Sequence, residues 1–202
     1  MQLDGPGLAP LSGGKTAQLV VLLHGVAANG NDLLYLARAW QKLLPEAEFI
    51  APHAPFPCDY APEGWQWFSL QDRAPEKLLA GLRNAAAILD NFFDELLASR
   101  GLDESQLALA GFSQGAATAL YAGLHRQKQI AGIVAFSGAL PWGRRCKARL
   151  PANRRFSPCM VRRTRSCLSH RWSLRRPCSK LRASRSRRWQ GLALAILSTR
   201  RE

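Results

Sequence analysis

Gly111-Phe112-Ser113-Gln114-Gly115 fits the pattern G-x-S-x-G, with the apolar run Gln106–Ala110 before it and the Ala-rich run Ala116–His125 after it. A chain that turns sharply from strand into helix crowds the positions two before and two after the turn. A Cβ at Gly111 or Gly115 would strike neighbouring backbone there. Such a turn lifts a serine hydroxyl above the sheet, at the N-terminus of a helix. Free amides and the positive end of the helix dipole then favour a developing oxyanion. The chemistry these residues suit is nucleophilic acyl transfer, with Ser113 attacking a carbonyl and the amide of Gln114 holding its oxygen. His24-Gly25-Val26 follows the first strongly apolar run, where such a site takes its second donor, so the amide of Val26 is expected to complete the pair. His24 itself reads as a structural ring that ties the loop down while the backbone does the chemistry. The pentapeptide by itself also suits a glycine-rich turn with an incidental serine; the strand before it and the helix after it weigh against that.

The rest of the first 141 residues supplies the elements that must hold these groups. Ala17–Leu23 is a short apolar, β-branched run ending at His24-Gly25 and reads as a buried strand. Asn29-Gly30-Asn31-Asp32 is a turn and cap signal that opens a helical stretch to about Leu44. Ala47–Ala51 is a second strand ended by Pro52, and Pro55 to Gly64 is an irregular loop. Pro75 stands at a first helical position, and apolar residues recur at helical spacing until Arg100-Gly101. Ile130–Phe136 is a fourth strand. Alternating strands and helices with continuously apolar strands predict an α/β architecture, a parallel sheet covered on both faces.

Four segments in order, LLHGVAANGNDLL, APHAP, GWQWFSL and LALAGFSQGAATALYAGL, resemble the phospholipase/carboxylesterase family over about residues 15–140. These are small bacterial carboxylesterases related to acyl-protein thioesterases, with the α/β-hydrolase fold. The resemblance implies a mostly parallel sheet flanked by helices and hydrolysis of carboxylic ester or thioester bonds in acyl chains, without metal or organic cofactor. It implies Ser113 as nucleophile, with a His as base and an Asp to orient that His. Trp65, Trp67 and Phe68 match the family's aromatic segment near the acyl site; core aromatics beneath a loop fit them equally.

Charge divides the chain. It has 202 residues, 47% hydrophobic and 21% charged, with a net charge of +14. Residues 1–141 carry thirteen acidic and nine basic groups, whereas residues 142–202 carry nineteen basic groups, 17 of them arginine, against Glu202 alone. Cys146, Cys159, Cys167 and Cys178 also lie in the second part. A chain of this length can bury roughly 70% of its unfolded surface, which excludes disorder throughout and a disulfide-stapled miniprotein. No apolar run is long enough to span a membrane, and residues 1–10 lack the features of a signal peptide, so a cytoplasmic protein with reduced cysteines is expected. Ser12-Gly13-Gly14-Lys15-Thr16 lacks the first glycine of a phosphate-binding loop and precedes a strand instead of following one. Cys159, Cys167 and Cys178 with His170 have no paired spacing of the kind zinc sites use.

The basic segment also bears on the chemistry. Chain order in these hydrolases is Ser, then Asp or Glu, then His, yet Glu202 is the only acid after Ser113 and follows every histidine. His125 lies about 18 Å along the helix from Ser113 at 1.5 Å per residue, and His170 has no acid before it to orient it. Neither fits the role of base.

The composition of residues 142–202, with no periodicity before Leu192–Leu197, is that of a GC-rich gene translated out of frame. Joining the last base of each codon to the first two of the next, the segment from Cys159 can read HGEADPVVP and that from Leu194 GHSVDPEG. These strings resemble the family's acid and histidine segments, in the family's order. A frameshift near residues 141–146 is therefore expected. It leaves 1–141 as an incomplete hydrolase domain, with its last strands and helix missing or replaced, and 142–202 outside the native fold. Two rivals remain: a basic arm that binds nucleic-acid phosphates, and a non-catalytic relative that keeps an acyl pocket without turnover.

Overall fold

The computed structural model describes residues 3–138 and the backbone of 160–162. Six strands form one sheet: β1 (Gly7–Leu8), β2 (Gln18–Leu23), β3 (Ala47–Ile50), β6 (Leu107–Phe112), β7 (Gly132–Phe136) and β8 (Met160–Arg162). Their spatial order is β1-β3-β2-β6-β7-β8, parallel except for β1 against β3. Two further strands, β4 (Phe56–Pro57) and β5 (Trp65–Gln66), pair antiparallel outside the sheet. Three α-helices complete the described fold: α1 (Leu34–Gln41), α2 (Pro75–Arg100) and α3 (Gln114–His125).

The apolar runs lack alternation because both faces of the central strands are covered. Leu19, Val21 and Leu23 of β2 and Leu107 and Leu109 of β6 pack with Leu82, Leu89 and Phe93 of α2 and with α3. Val20, Leu22, Ala108 and Ala110 face the other way, onto Ala37 and Trp40 of α1 and Leu44 after it. α2 starts with Pro75 in its first turn and stops where Gly101 takes a left-handed φ of 65°. Arg126, buried just past α3, ties that helix to α2 through Asp90 (3.2 Å) and Asp94 (2.6 Å).

Several boundaries differ from the sequence expectation. The stretch expected as one helix to Leu44 is a 3-10 turn, Gly30–Leu33, followed by α1. Asn29 caps the turn by accepting from the Asn31 amide, while Asp32 accepts from the Asn29 amide. α1 stops early: the Lys42 and Leu43 amides join the Leu44 amide on the single Trp40 carbonyl, and Pro45 lies just ahead. The loop expected over Pro55–Gly64 contains β4, too short to leave a periodic signal. The last strands were expected to be missing or replaced after β7; at that edge β8, from the arginine-rich segment, pairs with β7 in the register Val134↔Met160. The rest of that segment lies outside the described residues, with Cys146, Cys159, Cys167, Cys178, His170 and both shifted-frame strings. Among the described residues no helix is long and apolar enough to cross a membrane.

Candidate active site

β2 and β6 are neighbours, but the chain leaves β2 toward β3 on one side and β6 toward β7 on the other. The crevice between their C-terminal ends is thus the switch point where open α/β sheets bind ligands. Strain collects at the ends of these strands. The non-glycine residues with positive φ among those described are Ala27 (65°), Ser113 (52°) and Ser137 (53°), shortly after β2, β6 and β7. Each such conformation costs of order 1–3 kcal/mol and persists only where its surroundings hold it.

Packing holds Ser113. Its amide donates to the Phe136 carbonyl at 2.9 Å, and its own carbonyl accepts from Ala116 (3.1 Å) and Ala117 (3.2 Å) in the first turn of α3. A Cβ on Gly115 would overlap the carbonyl oxygens of Leu23 and His24. One on Gly111 would overlap the Gly115 carbonyl and stand 2.7 Å from the Ala116 Cα. Backbone cannot give way as a flexible side chain can, so both positions require glycine, for the reason the sequence suggested. Ser113 itself is half-buried at the mouth of the crevice.

The loop after β2 runs alongside. A Cβ on Gly25 would meet Ser113 Cβ at 3.5 Å and the Phe112 ring at 3.3 Å, so Gly25-Val26 borders the elbow. Among the described residues, neither the Val26 nor the Gln114 main-chain N–H has a hydrogen-bond acceptor. Two amides without partners among the described residues thus border the crevice.

His24 is fully buried beneath the loop. Its Nε2 lies 2.9 Å from the Ala54 amide, which can only donate, so Nε2 carries no proton; Nδ1–H then donates to the Gly25 carbonyl at 2.7 Å. Burial pushes its pKa down from 6.5, against the pull of the Gly25 bond, and keeps the ring neutral. Both ring nitrogens are engaged, and the ring's position is structural.

The three aromatics part company. Trp67 is fully buried; its indole N–H donates to the His24 carbonyl at 2.9 Å, and its amide donates to Gln114 Oε1 at 2.9 Å. Phe68 is buried too, and its carbonyl accepts from Gln114 Nε2 at 2.7 Å. Trp65 remains 36% exposed, stacked on His53 with ring centroids 6.0 Å apart. The Gln114 side chain had no role in the sequence reading, and no local signal marks it. On the α1 side of the elbow an apolar recess of about 170 Å³ opens, lined by Leu22, Leu33, Leu36, Phe112 and Phe136 among others.

No general base stands among these groups. His125 is stacked on Tyr121 at 4.1 Å at the far end of α3, with Nδ1 on the Tyr121 carbonyl. His53 uses Nδ1 to accept from the Gly30 amide at 3.2 Å. Among the described residues no group of three or more His, Cys, Asp or Glu converges in a way that could hold a metal ion.

A strained serine at a turn from a parallel strand into a helix, at a sheet switch point, has the strand–turn–helix geometry of the α/β-hydrolase fold. Comparison with known proteins agrees: the chain belongs to the phospholipase/carboxylesterase family, whose model matches residues 11–157. It is 32% identical to acyl-protein thioesterase 1 of Schizosaccharomyces pombe over 127 residues, 60% of this chain and 56% of that protein. The solved structure of esterase PE8 is 41% identical, with a TM-score of 0.64, over 68% of this chain and 65% of its own. A carboxylesterase structure from Mesorhizobium loti, 22% identical with a TM-score of 0.53, covers 67% of this chain and 61% of its own and shares the fold. The chain thus spans less than two-thirds of the length of these relatives.

Proposed function

We propose that the site is that of a serine hydrolase acting on carboxylic esters or thioesters of acyl chains, impaired in this chain because no residue after Ser113 can serve as its acid–base pair. The observation that carries the reading is the strained Ser113 backbone beside the unpaired amides of Val26 and Gln114. In the reaction Ser113 Oγ attacks the acyl carbonyl and the two amides hold the oxyanion. A His, oriented by an Asp, takes the serine proton and passes it to the leaving alcohol or thiol. Of the aromatic candidates, Trp65 has the exposure to meet an acyl chain; Trp67 and Phe68 act through the loop they support. The acid and base belong to the shifted reading frame beyond residue 141, and the reaction uses no cofactor.

Turnover of p-nitrophenyl acetate tests this. Protein of verified intact mass should work at the level left by an oxyanion hole alone, roughly 10³–10⁴ over water. Restoring the frame should raise turnover by about six orders of magnitude, and Ser113→Ala should abolish that gain. Full esterase turnover by the chain as written, or a stop codon in the shifted frame before the histidine string, would overturn the impairment. A restored enzyme indifferent to Ser113→Ala would overturn the site.

A further inference from the structure

We infer that the Gln114 side chain is a positioning residue: it bolts the aromatic segment 65–68 to the elbow, and that segment sets where the Val26 amide stands relative to Ser113. The inference rests on the reading of Ser113 as nucleophile and concerns the side chain of Gln114, whose backbone already serves as a donor.

Gln114 is 6% exposed, and both ends of its amide are used: Oε1 accepts from the Trp67 amide at 2.9 Å and Nε2 donates to the Phe68 carbonyl at 2.7 Å. These bonds join residues 47 and 46 positions apart in the chain. From the segment so held, three bonds reach the oxyanion loop. The Trp67 indole donates to the His24 carbonyl at 2.9 Å. The Ala27 amide donates to the Trp65 carbonyl and the Trp65 amide to the Ala28 carbonyl, each at 3.0 Å. Val26 lies between the residues these bonds hold. Directly between loop and elbow there is close packing, at Gly25 and Gly115, which limits approach without fixing orientation. Hydrogen bonds are directional, so orientation comes through Gln114 and Trp67.

A methionine at 114 fills much the same volume, but its thioether is at best a weak acceptor and no donor, so it strands a buried donor on Trp67 and a buried acceptor on Phe68. The segment then shifts to recover partners, and the Val26 amide moves with it. A misplacement of about 1 Å can cost on the order of 100-fold, comparable to the low end for losing one oxyanion donor. The expected loss for Gln114→Met is about 10- to 100-fold in affinity for a tetrahedral anion at Ser113.

Phenylboronic acid provides such an anion without a base. Ser113 Oγ forms a bond to boron, the hydroxyl proton leaves to solvent, and boron becomes tetrahedral and negative. This is an equilibrium that boron NMR follows on the full chain. The wild-type chain should give the tetrahedral signal and Ser113→Ala should not. Gln114→Met should bind about 10- to 100-fold more weakly. Trp67→Phe, which removes the indole donor and part of the buried ring, should weaken binding less, and the double variant should be little worse than Gln114→Met because both act through one segment. Arg100→Met, which breaks the ion pair with Glu48 elsewhere, should lower the melting temperature and leave the affinity unchanged.

Wild-type affinity in Gln114→Met overturns the inference, as does an equal loss in Arg100→Met. Should Gln114→Met fail to fold, Trp67→Phe decides, and unchanged affinity there overturns it. Absence of a tetrahedral adduct in the wild type, or its persistence in Ser113→Ala, removes the nucleophile reading and the positioning role together.

Discussion

β2 and β6 bury every residue except Phe112, whereas β7, next to them in the same sheet, buries Ala135 alone. β2 and β6 have α2 and α3 on one face and α1 on the other. Over β7, Ala135 meets Ala116 and Leu120 of α3, while on the opposite face Phe136 lines the open recess. Ser113 and both proposed amides lie at the ends of the covered strands, where close main-chain packing at Gly25, Gly111 and Gly115 brings the two loops together and the Gln114 and Trp67 side chains orient them. In the proposed reading the acid and base would come from chain beyond β7. The strained turn and its neighbouring amides thus depend on one stretch of chain, whereas the proposed acid–base pair would depend on another.

Substitutions can break or sharpen this contrast. The largest effect is expected in the covered half from Gly115→Ala, whose new methyl has only the carbonyls of Leu23 and His24 to push against. It should lose about 4 kcal/mol or more of unfolding free energy in urea titration, or fail to fold. An Ala variant with wild-type stability would mean that α3 is not seated on the end of β2.

A paired measurement compares the halves. Leu109→Ala, at a site 1% exposed, should cost about 2–5 kcal/mol, whereas Val134→Ala on half-buried β7 should cost about 1 kcal/mol or less. Equal costs from denaturation midpoints would show β7 to be as well covered as β6.

The smallest effect is one of pH. His24 is held neutral in the fold, its pKa below 6.5, so between its folded and unfolded values the unfolded chain binds more protons. Its contribution is intact above about pH 6.5 and is lost as pH falls from there through the folded value. Stability should therefore begin to fall below about pH 6.5, ahead of the carboxylates, and His24→Asn should remove that part of the slope. A flat profile between pH 7 and 5 in the wild type would contradict the neutral buried ring.

What could be read without coordinates is what short stretches of chain decide. The crowding at Gly111 and Gly115 arises within a few residues of one turn, so the elbow was legible as a pattern. Continuous apolar runs marked β2 and β6, and the gap between strand and helix put Val26 at the loop. The expectation that an acid–base pair is lacking rested on the sequence too: Glu202 follows every histidine, and His125 lies about 18 Å along the helix from Ser113. Two-residue strands such as β4 and β5 leave no periodicity, and β8 could not be foreseen in a segment without pattern.

Only the tertiary structure decided which aromatic does what. Trp65, Trp67 and Phe68 are adjacent in one hairpin-like segment and chemically alike, yet the fold exposes the first and buries the other two. Their fate depends on Gln114, more than forty positions away, whose amide matches their main-chain groups in direction and distance. His24 tells the same story: its tautomer follows from Ala54 and Gly25, which folding brings to its two nitrogens. Patterning records which residues must be apolar or must lack a Cβ. Directional bonds between distant segments exist only once packing has brought the partners within 3 Å of each other.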